Sequence, residues 1–197
     1  KRQPLLSYWL ELMLETGAAD RVLINTHHLS GQVKMYCEAH PLAKRITLCH
    51  EPELLGTGGT LIKHSRDMLG NELFVAHADN LTLFNPLDFL ARHASRPTGC
   101  VLTMMTFETD SPQSCGIVEL DRDGVVQAFH EKVANPPSSL ANAAVFVLAP
   151  EALELIRDLP LRGPEERSAL DISRHIIPRL LGRIFTFHNN IYHRDIG

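Results

Sequence analysis

Short apolar runs alternate with segments of helical periodicity along most of this chain, and that alternation constrains its fold more than any other feature. Val22-Leu23-Ile24, Ile46-Thr47-Leu48-Cys49 and Leu73-Phe74-Val75-Ala76 each read as a buried strand. Ser30 to His40 reads as a helix, as does the stretch beginning near Thr60. Leu6, Trp9, Leu10 and Met13 share one face of an earlier helix that Gly17 ends. Asn85-Pro86 offers a cap and a first-turn proline for a helix through Phe89 and Leu90 toward His93. Val101 to Met105, Ala143 to Leu148 and Ile184 to Phe187 are further strands, while Pro150 opens one helix and Leu170 to Leu181 supplies another. From Gly116 the pattern changes: Ile117 to Leu120 and Val125 to Phe129 flank Asp121-Arg122-Asp123-Gly124, a hairpin signal. A D-x-D pair can also hold a metal, but beside a glycine between alternating strands these aspartates are expected to shape the turn. The expectation is one α/β domain, with a mixed, mostly parallel sheet flanked by helices and an antiparallel hairpin insertion.

With 197 residues, 44% of them hydrophobic, the chain can bury one sizeable core and is short for two. A formal charge of -4 provides no basic field for a nucleic-acid backbone or an anionic membrane, so the expected ligand is small. No apolar run approaches the roughly 20 residues of a membrane span, and no signal-peptide core opens the sequence, so a cytoplasmic protein is expected. Cys37, Cys49, Cys100 and Cys115 are widely spaced and read as reduced core thiols. The histidines lack metal-ligand spacing; His27 and His28, for instance, are adjacent.

Leu55-Gly56-Thr57-Gly58-Gly59-Thr60 crowds three glycines between a strand and a helix, where bare backbone lets a base or phosphate approach main-chain groups. A tight turn entering a helix produces the same letters for steric reasons alone. Its company argues for a site: in open α/β sheets ligands collect at the carboxyl ends of strands, where both this turn and Asp79 fall. A carboxylate just past a buried strand suits Mg²⁺, which takes one or two protein carboxylates when it bridges phosphates, and Asp79 and Asp195 are the expected pair. Glu131-Lys132 ends the hairpin, where a carboxylate can accept from sugar hydroxyls and an ammonium can pair with a phosphate; a surface ion pair is the other reading.

Taken in order, Pro4-Leu5-Leu6 with Tyr8-Trp9-Leu10, Glu51 with Leu55 to Thr60, Ala78-Asp79-Asn80-Leu81, Cys115-Gly116-Ile117-Val118, Glu131-Lys132, Asn142-Ala143-Ala144-Val145 and Asp195-Ile196-Gly197 resemble the sugar-1-phosphate nucleotidylyltransferases. The resemblance spans nearly the whole chain and implies a Rossmann-like (GT-A-like) fold. It implies that Leu55, Gly56, Thr57, Gly58 and Gly59 hold the nucleobase, with Glu51 near base or ribose. It places Mg²⁺ on Asp79 and Asp195, the sugar against Gly116, Glu131 and Asn142, and the sugar's phosphate on Lys132. The implied reaction joins a nucleoside triphosphate to a sugar 1-phosphate, giving a nucleotide sugar and pyrophosphate. The Leu-Gly-Thr-Gly-Gly form looks most like the mannose-1-phosphate guanylyltransferases, which favours GTP and a mannose- or heptose-type sugar.

This sequence departs from the family pattern in several places. The family's G-x-G-T-R-L-x-P signature and the lysine after it normally precede the Pro4-Leu5-Leu6 segment, so the triphosphate-binding part is expected outside residues 1–197. Val133 stands for a usual proline, Ala144 for a usual glycine and His193 for a usual tryptophan, which bears on the sugar more than on the reaction. Two other readings stay open at this level: a catalytically silent nucleotide-sugar-binding regulatory subunit, and a dinucleotide-binding oxidoreductase, the latter disfavoured because Glu51-Pro52-Glu53 separates strand from turn. Homo-oligomerisation is compatible with all of them.

Overall fold

The computed structural model describes residues 3–163, 166 and 169–196. Helix α1 (Leu5–Leu10) runs on into a π-helical turn, Glu11–Glu15, and the chain reverses at Gly17, whose φ of 76° suits a glycine. Strand β1 (Val22–Thr26), helix α2 (Ser30–Glu38) and strand β2 (Ile46–His50) make a parallel unit in which Val22 pairs with Ile46 and Thr26 with His50. Helix α3 (Gly56–Met68) leads to β3 (Leu73–Ala76), then β4 (Asn80–Leu83) and α4 (Pro86–Ala94). The Asn85 side chain caps α4 as its sequence suggests, accepting from the Leu87 N–H at 3.0 Å.

Strands β5 (Leu102–Glu108), β6 (Gly116–Leu120), β7 (Val126–Glu131), β8 (Leu140–Leu148) and β9 (Ile184–His188) complete the main sheet, ordered β7-β6-β8-β5-β9 with β3 also on β8. Strands β3 and β5 both run antiparallel to β8 and β5 runs parallel to β9, so β3, β5 and β9 share one direction. The mixed α/β sheet flanked by helices, with its antiparallel β6–β7 hairpin, is the architecture expected. In that hairpin Asp121 Oδ1 accepts the N–H groups of Asp123 and Val125, both at 2.9 Å, and Oδ2 accepts from Gln127 at 2.9 Å. Its carboxylate is spent on the turn.

Both faces of the sheet are covered, which explains the unbroken apolar runs. Along β8, Ala143, Val145 and Val147 face a cluster with Trp9, Met13, Phe84, Phe89 and Met105. Phe146 and Leu148 face the opposite cluster with Leu61, Met104, Ile156, Leu170, Ile176 and Ile184, to which α5 (Pro150–Arg157) also contributes.

Two expectations are corrected and one strand pair is added. The glycines do not precede a helix starting near Thr60: α3 begins at Gly56 itself, and Gly56, Gly58 and Gly59 form its first turn. Residues 170–181 are not one helix but a π-helical turn, Ile172–Ile176, followed by a 3₁₀ turn, Ile177–Arg179, because Pro178 lacks an N–H and restricts the residue before it. Strand β4 and a strand β10 (Tyr192–Asp195), to which the sequence pattern assigns no element, pair antiparallel with Leu83 opposite Tyr192 and Asn80 opposite Asp195.

Candidate active site

The long strand β8 changes neighbours midway, and the functional residues gather at that change. At its start Ala141 pairs with Ile117 of β6, and from Val145 onward it pairs with β3. Between these lies Ala144, held at φ 53°, with its N–H donating to Asn142 Oδ1 at 2.9 Å and its carbonyl accepting from the His77 N–H at 3.3 Å. The register against β5 also shifts here. Strands β6 and β3 therefore abut end to end along one edge of β8. That junction brings Gly116 and its cross-strand partner Glu131 beside Asn142, three positions along β8 from Val145, where β3 ends before the chain turns through Asp79.

The backbones of Asp79 and Asp195, the two carboxylates singled out in the sequence, are neighbours. Asp195 lies opposite Asn80 in the β4–β10 pair, and the Ile196 N–H donates to the Asp79 carbonyl at 3.2 Å. Gly197, grouped with Asp195 by sequence, lies outside the described residues. Buried Asn80 anchors the pair: its side-chain amide donates to the Ala143 carbonyl at 3.1 Å, and its own carbonyl accepts the Trp9 indole N–H at 2.9 Å. His193 bonds Thr82 Oγ1 at 2.9 Å and packs on the Phe107 ring at 4.2 Å between centroids; burial pushes its pKa down to about 4. Among the described residues no three His, Cys, Asp or Glu side chains cluster as a metal cage.

At the hairpin end, a Cβ at Gly116 would fall against the Phe129 ring and 2.8 Å from Glu131 Oε2, so the glycine is what lets the carboxylate approach. Burial pushes the Glu131 pKa up; Lys132 opposes this, Asp171 adds to it and Arg174 opposes it. Lys132 has φ 50° and donates its N–H to the Cys115 carbonyl at 3.1 Å, a bend that ends the hairpin strand.

The glycine turn is built differently from the sequence expectation. The Gly58 and Gly59 N–H groups both donate to the Leu170 carbonyl, at 2.8 and 3.2 Å, and the Leu170 N–H donates to the Leu55 carbonyl at 2.9 Å. A tertiary carbonyl thus satisfies the open N-terminus of α3, for which no side-chain cap exists. A Cβ at Gly56 would collide with the Leu170 carbonyl, and one at Gly58 would lie 2.7 Å from Ile176 Cδ1. The bare backbone of Gly56 and Gly58 thus packs against Ala169, Leu170 and Ile176 of the same chain. Glu51 is likewise inside: it is 1% exposed, Oε1 accepts from Thr60 Oγ1 at 2.7 Å, and its N–H donates to the Thr26 carbonyl at 2.8 Å. Its carboxylate ties the end of β2 to α3.

Sequence reading missed Asp171. Its Oδ1 accepts the Arg174 N–H at 2.9 Å, and Thr57 Oγ1 lies 3.5 Å from its Oδ2 and accepts the Ile172 N–H at 2.9 Å. Thr57 of the glycine turn and Glu131 of the hairpin end therefore share one neighbour. An acidic residue opening the apolar run Ile172, Ile176, Ile177 was the available signal.

Comparisons with known proteins place the chain in a family. The family model described as nucleotidyl transferase matches residues 1–197. A mannose-1-phosphate guanyltransferase of Pichia angusta is 27% identical over 203 residues, covering 99% of this chain and 52% of that protein. A valienol-1-phosphate guanylyltransferase of Streptomyces hygroscopicus subsp. limoneus is 33% identical over 135 residues, 66% of this chain and 35% of that protein. The chain thus spans about half, or less, of the length of these relatives. The crystal structure of HddC from Yersinia pseudotuberculosis complexed with GMP-PN superposes with a TM-score of 0.77 at 18% identity, covering 98% of this chain and 80% of that one, a likeness of fold. With paired aspartates beside a hairpin carboxylate on such a sheet, and a family model matched from end to end, the chain belongs to the nucleotidyl transferase family.

Proposed function

We propose that this chain is the catalytic region of a sugar-1-phosphate nucleotidylyltransferase, acting on GTP and a mannose- or heptose-type sugar 1-phosphate. The observation that supports this most is the meeting of Asp79 and Asp195 on paired strand ends, next to the Gly116–Glu131 pair at the β8 junction. The names of relatives support the substrate class: guanylyltransferases of mannose 1-phosphate and valienol 1-phosphate, and a glucose-1-phosphate thymidylyltransferase of Streptomyces antibioticus.

In this reading the sugar lies along Gly116, Glu131 and Asn142, with Glu131 accepting from ring hydroxyls and the Lys132 ammonium holding the 1-phosphate. The nucleotide lies over the Leu55–Gly59 turn, whose rigidity comes from its Leu170 clamp. A phosphate oxygen of the sugar attacks the α-phosphorus in line and pyrophosphate departs. That oxygen is already anionic, so positioning replaces a general base. Asp79 and Asp195 are hard oxygen donors that fit Mg²⁺, which when bound would neutralise phosphate charge. The substrates and the free thiols fit a cytoplasmic reaction.

The test is pyrophosphate release by the full-length protein with Mg²⁺, each nucleoside triphosphate and a panel of sugar 1-phosphates. Asp79→Asn is expected to abolish release while leaving the unfolding midpoint within a few degrees. Activity surviving that change removes Asp79 from the metal role. Nucleotide-sugar binding with no release in any combination makes the protein a regulatory subunit instead.

A further inference from the structure

Cys49 and His64 meet away from the carboxylates described above and take no part in that chemistry. Cys49 lies on β2, His64 lies on α3, and Sγ is 2.7 Å from Nε2 and 3.7 Å from Nδ1, so the sulfur sits against the imidazole ring with both nitrogens in reach. All four thiols are free, but Cys37 and Cys100 are buried, and burial pushes both of their pKa values up. Cys49 and Cys115 are half-buried, and the neighbour of Cys115 is the Thr109 hydroxyl at 3.9 Å, which is no base. Access together with a base in reach is what separates a reactive thiol from an inert one, and here only Cys49 combines them.

The position of the pair gives it a consequence. Cys49 is two residues before Glu51, and His64 is about one helical turn after Thr60. The Cys49–His64 and Glu51–Thr60 contacts are therefore successive ties between the same strand and the same helix, whose first turn holds Gly56, Gly58 and Gly59.

We propose that Cys49 with His64 is a thiol-modification site for low-molecular-weight disulfides, and that its occupation loosens the start of α3. His64 Nε2 takes the Sγ proton, and the thiolate attacks one sulfur of the disulfide. The disulfide's S–S bond breaks as the new one to Cys49 forms, and the departing thiolate recovers the proton from the imidazolium. An adduct on Sγ cannot share a 2.7 Å contact with the ring, so α3 moves outward and Thr60 withdraws from Glu51. Excess reduced thiol reverses the step.

The full chain is treated with limiting dithiodipyridine at pH 7, and occupancy of each cysteine is followed by peptide mass spectrometry. Cys49 is expected to label roughly tenfold faster than Cys115, and His64→Gln to bring it down to the Cys115 rate. Labelling of Cys49 no faster than Cys115 in the wild-type protein overturns the site without reference to any variant, and so does a rate that His64→Gln leaves unchanged. Hydrogen exchange over residues 55–64 reads the coupling, with no nucleotide present. Amide exchange there is expected to rise roughly tenfold on labelling and to return with reduced thiol, whereas unchanged exchange refutes the loosening.

Discussion

Gly56→Ala separates the two things that glycine does. Its φ of 74° alone makes an L side chain costly, by about 1 to 2 kcal/mol. The added Cβ would also collide with the Leu170 carbonyl oxygen and sit 2.9 Å from its carbon and 3.0 Å from the Ala169 carbonyl carbon. All three are backbone atoms and cannot rotate away, so the overpacking adds about 1 to 3 kcal/mol. Moving residues 169–171 back stretches the bonds from the Gly58 and Gly59 N–H groups, each contributing about 0.5 to 1.5 kcal/mol. The sum is a loss of about 4 kcal/mol. Gly17→Ala is the internal control, because φ there is 76° but nothing lies within 4 Å of the added Cβ, so only the conformational part, about 1 to 2 kcal/mol, is lost. Urea unfolding followed by the fluorescence of Trp9, the single tryptophan, measures both. Equal losses in the two variants would show that the Leu170 segment does not press on the turn, and would reopen it as a bare cradle.

Three further outcomes follow from named contacts. His93 is fully buried against Thr103 Oγ1 at 2.7 Å, and burial lowers its pKa from 6.5 to about 4, so the stabilisation is complete above pH 6.5 and is lost as pH falls toward 4. That shift corresponds to about 3 kcal/mol; the His193 pKa is lowered to the same value, so His93→Gln should shrink the difference between unfolding curves at pH 7 and pH 4 by roughly half. Asp171→Ala removes a cap worth about 1 kcal/mol and a negative neighbour of Glu131, so the Glu131 carboxyl, followed by NMR, should titrate at lower pH. Ala144→Gly relieves a φ of 53°, a gain that exceeds the added freedom of glycine in the unfolded chain, and should raise stability by about 0.5 to 1 kcal/mol in thermal unfolding.

Much of the fold was legible because burial leaves local marks. The runs at 22–24, 46–49, 73–76 and 143–148 became β1, β2, β3 and β8, and Asn85-Pro86 capped α4. Strands β4 and β10 were not legible, because a two-stranded pair with Leu83, Tyr192 and Asp195 exposed carries little apolar alternation. The helix expected over 170–181 broke at Pro178, a stop signal present in the sequence but outweighed by the isoleucines around it. The two half-buried cysteines, read as core thiols, show the same limit, since exposure depends on what packs above a strand.

The residue types of the site were determined by sequence alone: acidic groups at strand ends, a Glu-Lys pair closing a hairpin, three glycines opening a helix. What each of them touches was decided only by tertiary structure. Glycine patterning reports that something approaches the backbone closely, and it is equally satisfied by a ligand or by Leu170 of the same chain. Glu51 carries the same charge whether it meets a ribose or is sealed under Thr60. Asp79 and Asp195 lie 116 positions apart, and they meet because a β4–β10 ladder of long-range hydrogen bonds joins them, a contact to which no local periodicity corresponds.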